Sequence, residues 1–437
     1  MSRRSESSGG FSFLRVLDRA TLPPILTLFA GLQALGLGVV VVGHLATLSD
    51  PIPGMEDQVT GDFAAFFTGA LMLREGRGSE LYDLLAQKEV QESFLGEGLP
   101  HWQPYLNPPA LALGLAPFTV LGYAASFRLF TFAQGLFLLA ALCYLVSAIP
   151  VLSRSRVWAL TAILLTIGYL PVTLTTFGGQ NTGFTLALLA GIFAAVRKGK
   201  VTLAGSLLGL LTFKPQYTIM VGLVLLARKE VRVVGVAAVA ALLHYAVAAL
   251  ACGAGWPSEY LGALAVHGHA EMGENAPWHF SLPAVAYRVI PDAGVWIVAA
   301  GSSAAVLALM LATSRRVPTA SVRFSAFYGL LVAGTLLVSP HLQYYEAGVL
   351  ALPVLLGVTS VLETGRVPCL RARILLALGY LSFPIWRLSE VLGFQPLLVL
   401  LLAVFVGMWY LANTAKLSSD QALVSETVAF QVGRGSD

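Results

Sequence analysis

The sequence predicts an all-helical integral membrane protein with about eleven to thirteen transmembrane helices. Of its 437 residues, 57% are hydrophobic and only 11% are charged, whereas soluble globular proteins contain about 25% charged residues. The mean hydropathy is +0.76, so lipid must be the solvent for most of the apolar surface. Apolar runs long enough to cross a bilayer, or nearly so, recur from residue 25 to residue 411.

Thirteen of these runs are candidate spans. They cover residues 25–48, 107–123, 128–150, 157–175, 182–196, 201–213, 215–227, 232–252, 284–313, 323–338, 343–362, 373–386 and 390–411. The two short runs 201–213 and 215–227 could also form one interrupted helix. The first run is longer than the core of a signal peptide, so we expect a retained span. The domain organisation is then a cytoplasmic segment 1–24, a transmembrane domain 25–411 and a polar tail 412–437.

The basic residues predict the orientation. They cluster before the first span and in four later loops, at Arg3, Arg4, Arg15 and Arg19; Arg197, Lys198 and Lys200; Arg228, Lys229 and Arg232; Arg315, Arg316 and Arg323; and Arg366, Arg371 and Arg373. The positive-inside rule places these clusters in the cytoplasm. Residues 50–102 hold ten acidic against three basic residues and are expected outside. Two full passes between 107 and 150 would put Arg154 and Arg156 outside, so either one run is re-entrant or that loop breaks the rule.

Four polar segments then face the outer side: a first loop 49–106, the turns 177–182 and 339–345, and a second loop 253–283. Lys214 to Gln216 join them if the short runs are two helices. Residues 62–74 place Phe63, Phe66 and Phe67 on one helical face, which predicts a helix lying along the membrane surface. Residues 82–94 predict a second, weaker amphipathic helix.

Three of the polar residues could carry chemistry. Asp62 is either an ordinary helix N-cap or a carboxylate that takes a proton from an attacking hydroxyl. Lys214 lies near membrane depth and either snorkels to the interface or binds a phosphate. His341 either caps backbone groups at the interface, donates to a leaving phosphate or orients the base.

The other polar residues allow bland alternatives too. Gln180 and Asn181 form either an ordinary turn or a ligand-binding tip, and Tyr344 fits the aromatic belt of a membrane protein equally well. The histidines and glutamates of residues 256–282 match no closed zinc pattern, so no metal is predicted; that segment suits sugar stacking or is an ordinary loop. We find no phosphate-binding glycine loop and no basic patch typical of nucleic-acid binding.

The order of the polar motifs resembles glycosyltransferase family 87. These enzymes have the polytopic GT-C fold and use polyprenyl-phosphate sugars; the best known members are alpha-1,2-mannosyltransferases. The matching motifs are Asp62-Phe63, Gly76 with Leu81-Tyr82-Asp83, Tyr105-Leu106-Asn107-Pro108-Pro109 with Pro117, Gly179-Gln180-Asn181, Gly205 with Phe213-Lys214-Pro215-Gln216, Phe280-Ser281-Leu282 and Ser339-Pro340-His341. One departure is His279-Phe280 before Ser281, where we expect Asn-Gln.

The resemblance implies roles for individual residues. Asp62 would be the general base, and His341 a second catalytic residue. The donor phosphate or the substrate would be bound by Lys214, Gln216, Gln180, Asn181, Tyr82, Asn107, Ser281 and Tyr344.

The resemblance also implies a reaction. A hexose, mannose in the best known members, would pass from a polyprenyl-phosphate donor to a lipid-linked or glycan acceptor, with inversion to an alpha linkage and without a cofactor. The site would face the periplasm or exterior of a cell membrane. The alternatives are a lipid transporter or flippase, which often has related halves and broken helices at the midplane, and a structural scaffold, which leaves Lys214 unexplained.

Overall fold

The computed structural model describes residues 22–48, 61–97, 102–274, 278–290, 294–364, 370–381, 383–392 and 394–414. Within these ranges the regular structure is helical throughout, apart from one isolated antiparallel bridge between His279 and Gln343. The predicted all-helical fold class is therefore confirmed. Most of the N-terminal segment 1–24 and nearly all of the tail 412–437 lie outside the described residues, and the proposed domain limits stay predictions.

The α-helices are numbered in chain order. The first ten are α1 (Leu22–Thr47), α2 (Phe63–Arg74), α3 (Leu84–Leu95), α4 (Pro109–Leu115), α5 (Tyr123–Ala148), α6 (Pro150–Ser153), α7 (Arg156–Ile167), α8 (Leu170–Phe177), α9 (Thr182–Arg197) and α10 (Val201–Leu210). The rest are α11 (Pro215–Ala227), α12 (Val231–Cys252), α13 (Trp256–Glu274), α14 (Leu282–Val289), α15 (Gly294–Ser314), α16 (Arg323–Val338), α17 (Ala351–Glu363), α18 (Leu370–Leu381), α19 (Ser389–Leu392) and α20 (Leu397–Thr414). Short 3₁₀ segments occur at Gly78–Glu80, Ala116–Leu121, Leu211–Phe213, Tyr344–Leu350 and Phe383–Leu388.

Six described helices are long and apolar enough to cross a membrane, namely Pro24–Thr47, Tyr123–Ala148, Val231–Cys252, Ile297–Ser314, Tyr344–Glu363 and Leu397–Thr414. A seventh is the pair α7 and α8, which is bent by 45° at its break. Apolar side chains on the outside of α1 are widely exposed, for example Leu28 (65%) and Leu35 (66%), as expected for contact with lipid. The chain is a multi-pass membrane protein; the full count of eleven to thirteen spans stays a prediction, because several further apolar helices are shorter than a bilayer is thick.

Two helices, α9 and α16, form the centre of the bundle and are buried along almost their whole length. Phe193 of α9 stacks on Phe324 of α16 with ring centroids 5.7 Å apart. The Tyr328 hydroxyl of α16 donates to the Leu189 carbonyl of α9 at 2.9 Å. The small residues of α9, which include four alanines and two glycines, allow this close packing.

The segment between α1 and α4 contains the two predicted helices, α2 and α3, but α2 does not expose a polar face. All ten residues from Phe63 to Met72 are buried, so burial extends beyond the face that carries the phenylalanines; the location of the helix along the membrane surface stays a prediction. The neighbouring α3, α4 and α5 cover it on the other sides. Phe63, Tyr123 and Phe127 pack edge to face at its start, with centroids 4.8–5.3 Å apart. α2 is therefore packed against neighbouring helices on several sides.

The structure favours the re-entrant alternative near residues 107–156. The run 107–123 forms only the seven-residue α4 and a six-residue 3₁₀ segment, which together are too short to cross a bilayer, and both pack on α2. At the far end of the 26-residue α5, Arg154 interacts electrostatically with Glu363, which is paired with Arg197. Arg154 therefore lies with the other basic loops, and the loop need not break the rule.

Two further segments differ from the sequence expectation or decide it. The second outer loop is largely the helix α13 rather than irregular chain. The runs 201–213 and 215–227 are two helices, because the backbone of Lys214 leaves helical geometry (φ −123°, ψ 81°). Pro215 follows, and proline disfavours the α conformation in the residue before it. The break leaves Lys214 between two helix ends.

Candidate functional site

Asp62 stands at the N-cap position of α2, yet its side chain makes no capping hydrogen bond. Instead its Oδ2 accepts a hydrogen bond from Nε2 of Gln180. The simple N-cap interpretation therefore does not account for this carboxylate. A turn 118 residues later in the chain holds it in place.

The turn that carries Gln180 touches the turn before Asp62 backbone to backbone. Gly61 (φ +74°) and Gly179 (φ +62°) both adopt left-handed geometry, which favours glycine. A Cβ on Gly61 would overlap the Gly178 backbone, and one on Gly179 would overlap Phe63 and Phe127. The two glycines are thus required for Gln180 to reach Asp62.

Gln134, in the middle of α5, forms hydrogen bonds with the same turn and with the start of α9. Its Nε2 donates to the Gln180 carbonyl at 3.0 Å, and its Oε1 accepts from the Phe184 amide at 3.2 Å. Both halves of the side-chain amide are therefore used, and Gln134 is 4% exposed. Next to Gln180, Asn181 is 2% exposed, and its Oδ1 has no hydrogen-bond partner among the described residues. This oxygen is available to a ligand donor.

Lys214 is only 7% exposed and forms an ion pair with Oε1 of Glu346. The other carboxylate oxygen, Oε2, accepts a hydrogen bond from the Tyr217 hydroxyl at 2.9 Å. Because the ammonium group is paired inside the protein, the snorkelling alternative does not describe this lysine. A lysine ammonium has three donors, so the pair with Glu346 leaves capacity for an anion.

His341 lies in a short segment that pairs with residues 279–281. The Phe280 amide donates to the Leu342 carbonyl at 3.1 Å, and the rings of His279 and His341 are 5.1 Å apart. The His341 Nε2 lies 3.5 Å from the Tyr345 hydroxyl, and the Ser339 hydroxyl donates to the His341 carbonyl at 2.9 Å. These contacts fix the segment after Ser339-Pro340.

An aromatic wall follows, made of Trp278, Tyr344 and Trp386. The Tyr344 and Trp386 rings stack at 4.3 Å with an interplanar angle of 6°, and Trp278 lies 5.1 Å from Trp386. The Arg387 guanidinium lies 5.5 Å from the Trp386 ring centroid. The helices α8 and α9, whose connecting turn carries Gln180, both pack on the 3₁₀ segment Tyr344–Leu350. The partner of Asp62 is thereby placed next to the segment that carries Tyr344 and Glu346.

The structure thus brings most of the predicted residues to one end of the bundle. The 3₁₀ segment Tyr344–Leu350 is contacted by α8 and α9, whose turn holds Gln180 and through it Asp62. His341 contacts Tyr345 of the same segment, and Lys214 joins through Glu346. Gln216 follows in the first turn of α11 and is partly exposed. Ser281 is completely buried, and its hydroxyl caps α14 by accepting from the Ala284 amide.

Tyr82 and Asn107 form a separate group. The Tyr82 hydroxyl donates to the Asn107 carbonyl at 2.9 Å, and its ring lies 5.5 Å from that of Tyr260. The 12 residues of α2, about 18 Å of helix, separate this group in the chain from Asp62. Burial raises the pKa of Tyr260 to about 12 and that of Tyr82 further, so both phenols are neutral donors rather than bases.

Sequence reasoning missed four members of this region: Glu346, Tyr217, Gln134 and Trp386. A signal for Glu346 was present, because a carboxylate inside the apolar run 343–362 and a lysine at depth each need a counter-charge. Gln134 is likewise a polar residue within the run 128–150. Tyr217 and Trp386 carry no such signal, since aromatic residues are common in membrane helices. The described residues contain no cluster of three metal-ligating side chains.

Comparison with known proteins adds one result to this geometry. The sequence profile of glycosyltransferase family 87 matches residues 105–340, more than half of the chain. No curated protein and no solved structure shows significant similarity to it. The matched region contains Asn107, Gln180, Lys214 and Ser281; Asp62 precedes it, and His341 follows it by one residue. The chain is therefore a membrane glycosyltransferase that belongs to glycosyltransferase family 87.

Proposed function

We propose that the protein transfers a hexosyl unit, mannose, from a polyprenyl-phosphate sugar to a hydroxyl group of a lipid-linked or glycan acceptor. The observation that carries this proposal is that the half-buried carboxylate of Asp62 is bonded to Gln180, in the turn between α8 and α9. Both helices pack on the 3₁₀ segment Tyr344–Leu350, whose Glu346 holds the buried cation Lys214. An acceptor hydroxyl needs a base, and a departing phosphate needs positive charge where its own negative charge develops. Both are available at one end of the bundle.

Asp62 takes the proton of the acceptor hydroxyl in this mechanism. The acceptor oxygen forms a bond to the anomeric carbon while the bond from that carbon to the phosphate oxygen breaks. The bonding electrons leave with the polyprenyl phosphate, so a single displacement on a beta-linked donor inverts the centre to an alpha linkage. The hydrogen bond from Gln180 keeps the carboxylate directed and its proton-accepting oxygen defined.

Lys214 and His341 stabilise the leaving phosphate. The pair with Glu346 holds the lysine ammonium in place, and the hydrogen bond from Tyr217 draws charge from the Glu346 carboxylate. Two lysine donors then remain for phosphate oxygens. The Asn181 Oδ1 accepts a hydrogen bond from a sugar hydroxyl. The stacked rings of Tyr344 and Trp386 offer a flat apolar surface to one face of the sugar.

The site faces the periplasm or exterior of the cell membrane in this proposal. The basic loops around Arg154, Arg197 and Glu363 meet at the opposite ends of the helices, and the positive-inside rule assigns such loops to the cytoplasm. A polyprenyl donor can enter laterally, because its chain is apolar and the bundle is surrounded by lipid. The donor carries the activated sugar, so the displacement uses only groups of the chain.

The variant Asp62→Asn tests the base. Transfer from polyprenyl-phosphate mannose in membranes should fall by at least about 100-fold, the usual contribution of a positioned base. The matched control is Asp83→Asn, because Asp83 is an exposed carboxylate in the same outer loop that only caps α3. A folded Asp62→Asn variant that transfers as well as Asp83→Asn would contradict the assignment.

Release of polyprenyl phosphate distinguishes this reaction from lipid transport. A transferase releases it only together with a glycosylated acceptor, whereas a flippase moves the intact donor without breaking a bond. Assaying the same membranes with mannosyl, glucosyl and arabinosyl donors then tests the sugar. Faster release from either of the other two donors would contradict mannose while leaving the transferase reaction intact.

A further inference from the structure

A basic cavity lies at the end of α11 opposite to Lys214, between the α11–α12 turn and the α15–α16 connection. Its volume is ≈ 480 Å³. The residues that line it are Ala227, Arg228, Lys229, Ser314, Arg315, Arg316, Val317 and Pro318. Four of these eight residues are basic and none is acidic. The complementary ligand is therefore an anion.

Arg228 holds the two connections that form the cavity together, so most of its donors are not available to a ligand. Its Nη1 donates to the carbonyls of Ser314 and Val317, both at 2.8 Å, and its Nη2 donates to the Thr319 hydroxyl at 2.7 Å. The guanidinium also lies 5.1 Å from the Phe324 ring centroid. These bonds join the two connections and bring Arg315 and Arg316 beside Lys229. The side chains of these last three residues are exposed and free to turn toward a ligand.

Lys229 has an unusual backbone conformation for a lysine. Its φ is +64°, and it is the one non-glycine residue with positive φ in the described part of the chain. α9 ends in a turn of the same kind, and there the equivalent residue is Gly199 with φ +65°. The backbone bonds correspond as well: Lys229 to Leu226 and Glu230 to Leu225, against Gly199 to Val196 and Lys200 to Ala195. Glycine is the residue this turn favours, so lysine is the less favourable choice for the backbone at this position.

The surroundings indicate which anion fits. Leu226 and Val231 flank the turn and are 49% and 58% exposed, as side chains in contact with acyl chains would be. The cavity also lies at the ends of α12 and α15, which are long and apolar enough to cross a membrane, and basic cavities between membrane helices bind anionic headgroups. Glu230 follows Lys229 but does not line the cavity.

We propose that this cavity binds the phosphate group of an anionic membrane lipid, with Lys229, Arg315 and Arg316 as its ligands. The site is distinct from the proposed transfer site, because the 13 residues of α11 separate it from Lys214. It does not depend on which sugar is transferred, or on whether the transfer reaction has been assigned correctly.

The test measures lipid binding by native mass spectrometry of the full chain purified in detergent and stripped of lipid. Phosphatidylglycerol should bind at least about tenfold more tightly than phosphatidylcholine. The variant K229G/R315Q/R316Q should lose that preference. Lys229→Gly alone should weaken phosphatidylglycerol binding while raising the thermal unfolding midpoint, because glycine relieves the strained turn. Weaker binding by a more stable protein cannot be ascribed to misfolding.

The control variant is Arg156→Gln, which removes an exposed basic residue from α7 outside the cavity. It should bind phosphatidylglycerol as the wild type does. The proposal is overturned if the triple variant keeps the wild-type preference, or if Arg156→Gln loses it equally. It is also overturned if inorganic phosphate binds as tightly as phosphatidylglycerol, since the cavity would then be a site for a free anion.

Discussion

The segment Tyr344–Glu363 carries a buried ion pair near each end, and the two pairs differ in kind. Glu346 pairs with Lys214, and their side chains are 3% and 9% exposed. Glu363 pairs with Arg197 at 3.5 Å, and their side chains are 4% and 9% exposed. Burial alone therefore does not separate them. What separates them is the set of groups that surrounds each pair.

Arg197 is held from several sides. Its Nη1 donates to the Ser325 hydroxyl at 2.9 Å, and its guanidinium faces the Phe193 ring at 6.0 Å. Arg154 adds a second positive charge near Glu363. The arginine fork is planar and fixed in direction. This pair joins α9, α16 and α17 among the basic loops, away from the candidate site, so we regard it as structural.

Lys214 is a point charge at a break between two helices, and its described polar contact is with Glu346. Asp62, Gln180 and the aromatic wall lie at the same end of the bundle as Lys214. The Arg197–Glu363 pair is surrounded instead by helix ends and basic loops. Ionisable residues at membrane depth are functional candidates by default. The neighbours of a buried pair therefore decide its role, and the presence of a pair alone does not.

Neutralising each pair completely should give the largest difference. We expect K214M/E346Q to fold but to lose transfer by about 10³-fold, or about 4 kcal/mol of transition-state stabilisation. R197M/E363Q should keep transfer within about threefold, because replacing both partners of a buried pair is often tolerated. Transfer rates per folded molecule, measured in the same lipid, provide the comparison. Equal effects of the two double variants would remove the distinction.

Replacing only Arg197 should lower the stability of the protein without changing transfer, the opposite of the pattern expected for K214M/E346Q. Arg197→Met leaves the Glu363 carboxylate buried with only Arg154 nearby, and we expect unfolding in detergent to become easier by about 3 kcal/mol. Transfer per folded molecule should not change. The matched single variant Glu363→Gln should be milder, because the Arg197 guanidinium keeps its contacts with the Ser325 hydroxyl and the Phe193 ring and the glutamine oxygen can still accept from it. A loss of transfer at full stability would show that this end takes part in the reaction.

The sequence was sufficient for the fold class, and it predicted several of the residues that the candidate site brings together. Composition and the recurring apolar runs predict a helical membrane protein, and the ordered motifs predict Asp62, Gln180 and Lys214 as neighbours of one site. Local patterns are enough there, because a polar residue in an apolar run is conspicuous. The predicted break near Lys214 follows from Pro215, whose effect on the preceding residue is also local.

Other features depend on contacts that no local pattern contains. The phenylalanines of α2 predict one buried face, but α3, α4 and α5 cover the other faces, and their arrival is a matter of tertiary packing. The partner of Lys214 lies 132 residues away, and the partner of Asp62 lies 118 residues away. The stacking of Tyr344 on Trp386 likewise joins two segments whose aromatic residues look ordinary in sequence.

The contact between the turn before Asp62 and the turn that carries Gln180 gives the next test of the candidate site. Gly179→Ala should destabilise the protein by about 2 kcal/mol, because its Cβ would overlap Phe63 and Phe127 and its φ is positive. Transfer should fall as well, because Gln180 then moves away from Asp62. The control is Gly199→Ala at the other end, where φ is +65° but no atom lies within 4 Å. This control should show backbone strain of about 1 kcal/mol with unchanged transfer; a similar loss of transfer in both variants would contradict the role of the turn.

The smallest effect should come from single hydroxyl groups. Tyr217→Phe removes the hydrogen bond to Glu346 Oε2, so more negative charge remains beside Lys214 and the donor phosphate is repelled. We expect a fall in transfer of about tenfold, near 1.4 kcal/mol, seen mainly as a higher KM for the donor. Tyr328→Phe is the matched control, because its hydroxyl bonds only the Leu189 carbonyl at 2.9 Å in the described structure. That variant should cost about 1 kcal/mol of stability and leave the donor KM unchanged. If Tyr217→Phe lowers stability but leaves the donor KM unchanged, the Glu346 carboxylate does not influence the donor phosphate. The Lys214–Glu346 pair would then be as structural as the Arg197–Glu363 pair.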